Sequence, residues 1–563
     1  MKKTICGISL LLAVLLTFMG CRQTPGKEAS SRPTGMEPGP WGAYSDPITL
    51  KLCVPSNMTQ WPGAATGDYS YEDNVWTQAW LDEFNIRTEV LWEAVDSIGD
   101  YATKMNLAIT SKDLPDIIVT ADYSQFTKLQ AAGLLQPLDD VLETYAYDLL
   151  KENIFKDGGK NLERGRVGGK LYGIPLDGND YRTRQVLIRA DWMKELKLSA
   201  PKTMDDVIAI GKKFVSAGKA SYALPLYNKL IDGFGDIVAV SNSVGAYPRI
   251  WMEKDGNLAY GSVQPEMKSM LKIYADLFKG KYIDKAFASL DSGAVATQIT
   301  SGQVGVLPSD YWVITWPLNT LWDAKKEVDW NVYPVMPSAS YRGDFKIQGP
   351  AAKGKMVGVK AGYAYPEVLI KLMNHRLAML DDPETAETDV FHSAKVDNET
   401  ISFFQMSPLA ITKNDPMTNY NSQINVTKAV DNNFDESLLV SPHDKLVLNN
   451  IRPYFLARES GATPSGAAWS NYKMFYGDNS AFGVYNKYIK DNLVIFSADN
   501  GYQSETMVRQ WGTLVKLEDQ YITDIISGKK GVDTGFNEFV KSWNNLGGKK
   551  ITEEMAAWYK AQN

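Results

Sequence analysis

The sequence predicts an α/β protein, on two observations. Short apolar runs with strand character alternate with amphipathic helical stretches through residues 48–376, the order that builds a mostly parallel sheet with helices on its faces. The helical stretches also carry their own punctuation, with capping side chains in front and glycine behind. Taken in order, ITLKLCVP (48–55) alternates as a strand and holds Cys53, expected as a buried free thiol. A helix follows over 73–84, with Trp76, Ala79, Trp80 and Phe84 on one face. RTEVLWE (87–93) is the next strand, 97–111 the next helix, and PDIIVT (115–120) the third strand. Ligands of such sheets sit beyond the carboxyl ends of strands, and residues 120–123 form such an end.

Past this point GGKLYGIPL (168–176) is glycine-rich and then extended, and RQVLIRADWMKELKL (184–198) runs from strand into short helix. In APKTMDDVIAIGKKFVSAG (200–218) Thr203 is placed to cap a helix and Gly218 to end it. SVQPEMKSMLKIYADLFKG (262–280) gathers Met267, Met270, Leu271, Tyr274, Leu277 and Phe278 on one face, which marks core rather than a cofactor box. Residues 355–376 supply one more strand and helix. Residues 381–422 and 461–480 are loop-rich and polar, whereas 507–563 are helical with frequent charges.

Composition narrows the function. A net charge of −7 and the absence of a basic stripe argue against a nucleic-acid partner. The three cysteines, Cys6, Cys21 and Cys53, form no disulfide framework or CxxC pair, and His375, His392 and His443 are scattered without an HExxH pattern. With 15 Trp and 29 Tyr, the chain has either an aromatic-rich core or a ligand surface walled by flat amphipathic rings. SGQVGVLPSDYWVITWP (301–317) raises that question most sharply: Tyr311, Trp312 and Trp316 crowd a loop just past a strand, behind Asp310.

The N-terminus reads as an address. MKKTICGISLLLAVLLTFMGC places two lysines before an apolar run and then Gly20–Cys21, the layout of a secretory signal peptide over residues 1–20. The small residue before Cys21 resembles a bacterial lipobox, with Phe18 where leucine is more usual. That resemblance implies cleavage before Cys21 and a diacylglycerol anchor on its sulfur, enough for stable membrane attachment. Residues 22–47, rich in Pro, Gly and Ser, read as a flexible tether.

Several stretches, in this order, resemble the extracellular solute-binding proteins of bacterial ABC importers, specifically the sugar-binding lipoproteins of Gram-positive bacteria. They are PDIIVTADYSQFTKLQAAGLLQPLDDVL, GGKLYGIPL, VLIRADWMKELKLSAPKTMDDV, DGNLAYGSVQPEMKSMLKIYADLFKGKYID and SGQVGVLPSDYW, with VDTGFNEFVKSWNNLGGKKITEEMAAWY near the C-terminus. The resemblance implies a periplasmic-binding-protein-like fold of type II, with two discontinuous α/β lobes joined by hinge strands and a ligand cleft between them. Lobe 1 is expected at 48–176 and 357–380, and lobe 2 at 177–356 and 381–563, behind the tether of 21–47. Closure over ligand is then a hinge motion.

The same resemblance assigns cleft residues. Trp312, with Asp310 and Tyr311, is expected to enter from the second lobe, its ring against a sugar face and its polar neighbours on the hydroxyl rim; Trp316 is expected in the core. Asp122 and Tyr123 face them from the first lobe, with Asn179, Asp180 and Arg182 on the floor and Trp61 as the best aromatic after the first strand. Arg182 and Arg184 are placed either to bind uronates or to pair with acids. No GxSxG, Walker A or strand-following GxGxxG occurs, so no catalytic residue, metal or cofactor is implied. Related alginate-binding proteins carry a calcium loop, but DNNFDE (431–436) departs from that pattern at Glu436 and at Pro442. The expected protein is a monomer, lipid-anchored on the extracellular face of the cell membrane, that binds an oligosaccharide and docks on permease subunits. Alternatives are a binding protein of the same fold for a non-sugar ligand such as a peptide, a secreted glycan-degrading enzyme, or a sensor partner.

Overall fold

The structure is a computed structural model. It describes residues 39–562 except 57–68, 96–98, 157, 160, 177–180, 232, 255, 326–327, 351–353, 397–398, 410–415 and 500. Cys21, Trp61, Asn179 and Asp180 lie outside the described residues.

In the first lobe, β1 (Ile48–Ser56) pairs in parallel with β2 (Ile86–Val95) across α1 (Val75–Phe84). Asn74 caps α1 by accepting from the Trp76 amide, while the Thr77 hydroxyl closes a capping box. Trp76, Trp80 and Phe84 are all buried, as their helical spacing predicts. α2 (Asp100–Ser111) leads to β3 (Ile117–Val119), and α3 (Tyr123–Ala131) begins directly beyond it. The Tyr101 hydroxyl donates to the Val119 carbonyl at 2.7 Å, and the Asp116 amide donates to the Lys51 carbonyl, which fixes β3 beside β1. Cys53 is buried and free; burial, then Asp113, pushes its thiol up to about 12.

β4 (Ile174–Pro175) leaves this lobe. In the second lobe β5 (Gln185–Arg189) lies at the centre of a three-stranded sheet and leads toward α4 (Met204–Ser216) and α5 (Met267–Lys279). Thr203 and Asp206 form the capping box of α4, and the predicted apolar face of α5 is buried at Met267, Met270, Leu271, Tyr274 and Leu277. β6 (Val306–Ser309) and β7 (Trp330–Pro334) both run antiparallel to β5. β8 (Ile347–Gln348) precedes the return crossing, and β9 (Met356–Val359) re-enters the first lobe between β3 and β4, antiparallel to both. The expectation of a mostly parallel sheet is thus corrected. A strand that returns from the other lobe needs no βαβ crossover, so nothing forces it parallel.

α6 (Val368–Leu380) is buried along its whole length and shares the first core with β3, β4 and β9. The first core draws on residues 48–174 and 357–380 and also takes Phe391 and Leu409, which the predicted boundary at 380 assigned to the second lobe. The second core joins residues 186–347 to a C-terminal helical region. That region holds α7 (Thr418–Asp431), α8 (Pro442–Glu459), α9 (Gly466–Phe475), α10 (Ala481–Lys490), β10 (Val494–Ile495), α11 (Glu505–Ile526), α12 (Val532–Trp543) and α13 (Lys549–Gln562). α9 falls within 461–480, read from sequence as loop-rich; its buried Trp469 stacks on Trp322 with ring centroids 5.0 Å apart. Among the described residues, no helix is long and apolar enough to cross a membrane.

Candidate functional site

The second-lobe half of the site is set by where β5 begins and β6 ends. Ser309 lies opposite Gln185 across the ladder, so Arg184 and Asp310 emerge together at one end of the sheet. Arg184 Nη1 stands 3.7 Å from an Asp310 carboxylate oxygen. Its Nε and Nη2 donate to Asp236, with the shorter contact at 2.6 Å. Asp236 is 0% exposed and also accepts from the Gly233 and Val238 amides. Gly235 places it: at φ +72°, its amide donates to the Pro308 carbonyl at 2.7 Å, and a Cβ there would lie 2.5 Å from the Pro225 ring. Burial raises the Asp310 carboxyl above the ordinary carboxylate value, while Arg184 and then Arg182 pull it back down.

Asp310 also caps the short 3₁₀ turn Tyr311–Ile314 by accepting from the Trp312 amide at 3.2 Å, which aims the aromatic side chains. Trp312 and Trp316 each pack edge-on against Phe234, at 5.2 and 5.9 Å between centroids. Trp312 is half-buried and Trp316 is 45% exposed, so the expectation of Trp316 in the core is corrected. The two tryptophans form a shelf on one buried phenylalanine. Tyr311 packs on Phe482 of α10, and its amide donates to the Tyr485 hydroxyl. Tyr485 in turn donates to the Thr183 carbonyl at 3.0 Å, and Tyr488 donates to the Arg184 carbonyl at 3.3 Å. One C-terminal helix thus ties the segment carrying Arg182 and Arg184 to the loop carrying Asp310 and Tyr311.

On the first lobe, Asp122 caps α3 by accepting from the Gln125 amide, and its neighbour Tyr123 is buried. Tyr123 donates to the Arg164 carbonyl at 3.3 Å and lies 6.1 Å from Tyr502, which stacks on Trp558 of α13 at 4.5 Å. The C-terminal helix therefore reaches the first lobe through Tyr502. Beside this contact, Asp499 has one carboxylate oxygen without a partner; burial raises its carboxyl to about 6, and Arg164 opposes that shift. Elsewhere between the lobes, a cavity of about 430 Å³ is lined by Leu149, Glu152 and Lys156 on one side and Asn421, Asn425 and His443 on the other.

Of the residues predicted from sequence, Arg182, Asp310, Tyr311 and Trp312 come together in the second lobe, while Asp122 and Tyr123 lie at the end of β3 in the first. Sequence reading missed Asp236, Phe234 and Tyr485. The signal for Asp236 is an acid standing before the apolar run IVAV; nothing local marks Tyr485, whose partners Tyr311 and Thr183 lie 174 and 302 positions away. In the DNNFDE segment Asp431 accepts from the Tyr476 hydroxyl and Asp435 caps Ser437. Among the described residues, no cluster of three or more His, Cys, Asp or Glu gathers as a metal site.

The sequence and the fold both have counterparts among known proteins. Residues 62–374 match the family described as bacterial extracellular solute-binding protein. The chain is 27% identical over 237 residues to lipoprotein LipO of Bacillus subtilis (strain 168), covering 39% of this chain and 43% of that protein. It is 26% identical over 238 residues to the polygalacturonan/rhamnogalacturonan-binding protein YtcQ of the same organism, covering 39% and 44%. Both matches thus span less than half the length of the relative. In structure it resembles the alginate-binding protein AlgQ2 without calcium ion, with a TM-score of 0.61 at 15% identity over 92% of this chain and 98% of that one. It also resembles the Streptococcus pneumoniae ABC-transporter substrate-binding protein FusA, an EF-hand mutant in complex with fructo-nystose, with a TM-score of 0.58 at 18% identity over 92% and 99%. At these identities the structural likeness shows the fold: two lobes of the type II periplasmic-binding-protein class.

Proposed function

The chain belongs to the bacterial extracellular solute-binding proteins, and from that premise we propose that it captures an oligosaccharide for an ABC importer. The observation that carries the reading is the shelf of Trp312 and Trp316 on Phe234, rimmed by Asp310, Arg182 and Arg184. A pyranose or furanose ring has an apolar face and a hydroxyl edge. The indole faces take the first, and a carboxylate held in place by its own cap hydrogen bond takes the second. Tyr311 borders the shelf. Asp122 faces the cleft from the opposing lobe with Tyr123 packed behind it, and Trp61, Asn179 and Asp180 are further ligand contacts that the sequence resemblance alone suggests.

In this reading the protein binds without turnover, closes over its ligand and presents the closed form to two membrane permease subunits. It acts as a monomer, held on the extracellular face of the membrane by lipid on Cys21. YtcQ is named for polygalacturonan and rhamnogalacturonan and FusA for fructo-oligosaccharides, which supports a carbohydrate ligand. The test is a thermal-shift screen of the full-length chain in detergent micelles against plant and bacterial oligosaccharides, with product analysis of each mixture. A ligand at 100 times its Kd stabilises by about 2.7 kcal/mol. A shift without product, lost in Trp312→Ala, supports the proposal. Product formation moves the protein to the glycan-degrading enzymes, and a shift with peptides alone moves it to a non-sugar ligand.

A further inference from the structure

We propose that the cleft is built for an electrically neutral oligosaccharide rather than for a chain of uronic acids. This rests on the carbohydrate reading above and sharpens it. An oligouronate brings one carboxylate per ring, and bidentate recognition of it calls for guanidinium groups whose charge is not already neutralised.

The described guanidiniums around the two site segments do not meet that need. Arg184 turns Nε and Nη2 onto Asp236 and points Nη1 toward Asp310. Arg182 acts on the same Asp310 and is itself engaged. Arg164, behind Tyr123 in the first lobe, donates to Asn161 and faces Asp499. Three guanidiniums stand against three carboxylates, and Asp122 adds a further acid at the end of β3.

A ligand carboxylate that took the Nε–Nη2 edge of Arg184 in a bidentate grip would displace Asp236 from it. That would strand a carboxylate that is fully buried and keeps only two backbone amides. Asp310, already penalised by burial, would also meet a second negative charge at close range. Ring hydroxyls raise neither problem: they donate to Asp310 without disturbing the Arg184–Asp236 pair, and their uncharged rings lie on the Trp312–Trp316 shelf.

The experiment is equilibrium titration of the full-length chain, in detergent micelles, with two panels of matched length. One holds fructo-, xylo- and gluco-oligosaccharides; the other holds oligogalacturonates and alginate oligomers. Each is run at low and high salt. The expected result is a neutral sugar binding at least about tenfold more tightly than any uronate of equal length, with Kd moving less than about twofold with salt, since no ligand ion pair exists to be screened. A uronate that binds as tightly, or whose affinity falls steeply as salt rises, overturns the proposal and leaves the carbohydrate reading intact. Silence from both panels overturns both.

Discussion

Asp236→Asn is the sharpest perturbation of the site that leaves its shape alone. The wild-type carboxylate is fully buried and receives two guanidinium nitrogens and two backbone amides. The amide keeps the volume but removes the charge and turns one acceptor into a donor facing Arg184. Losing one partner of a buried pair costs about 3–5 kcal/mol. Asp310 at 3.7 Å still offers Arg184 a counter-charge, which favours the lower end of that range. At about 2.1 cal/mol/K of unfolding entropy per residue, a lobe of about 360 residues loses a little over 1 °C per kcal/mol, so the second lobe is expected to melt about 4 °C lower. Scanning calorimetry reads this directly, and ligand affinity should fall as Asp310 moves. The double variant Arg184→Leu/Asp236→Leu should recover much of the stability, because a packed apolar pair avoids the desolvation that the ions suffer. A shift under about 1 °C for Asp236→Asn would refute the reasoning: the pair would then be solvated, and the main support for a neutral ligand would go with it.

Four further outcomes are expected. Trp312→Ala should raise the oligosaccharide Kd at least about tenfold while costing only about 0.5–1.5 kcal/mol of stability through its edge contact with Phe234; titration and melting on the same sample separate the two. Gly165→Ala should destabilise the first lobe by about 1–3 kcal/mol or more in urea melts, since its Cβ would fall 1.8 Å from the Gly173 carbonyl oxygen, beside the strand that leaves the lobe. His443 is held down to about 4, chiefly by burial, with Asp444 opposing; because the unfolded imidazole titrates near 6.5, its contribution is intact above that pH and lost as pH falls toward 4, so the stability advantage of wild type over His443→Gln should shrink by about 2 kcal/mol between about pH 7 and pH 5. Cys21→Ala should abolish incorporation of a clickable fatty acid and release the protein into the medium.

Much of the fold was legible because its signals are local. The face of α1, the capping box at Thr203, the apolar stripe of α5 and the buried Cys53 each follow from residues within a few positions of one another. The direction of β9 was not legible: its neighbours, β3 and β4, lie about 180 to 240 positions earlier, and local sequence carries no mark of strand polarity. Trp316 was misplaced for a related reason. A tryptophan after a valine and an isoleucine looks like core, but Val313 and Ile314 take the inward positions of that turn, leaving Trp316 at the surface. Asp310 and Trp312 were legible as a pair, since an acid at the start of a short turn both caps it and aims the side chains of that turn.

What the chain invests in its C-terminal third bears on how such a site stays precise in a protein of two lobes. The segments carrying Arg184 and Asp310 are loops at the end of a three-stranded sheet, and short strands alone hold loop ends poorly. Tyr485 and Tyr488 resolve this by grasping backbone rather than side chains: the Thr183 and Arg184 carbonyls and the Tyr311 amide are all held by two buried hydroxyls of one helix. Burial pushes both phenols well above their ordinary range, so they remain neutral donors at any pH the protein meets. The same region reaches the other lobe through Tyr502, between Tyr123 and Trp558. Residues 481–499 and Tyr502 thus hold the second-lobe side of the site and touch the first lobe at Tyr123. On the proposed function, a ligand reaching from Trp312 to the end of β3 would span the same two lobes that this segment joins, so closure would be expected to repack the Tyr123–Tyr502 contact.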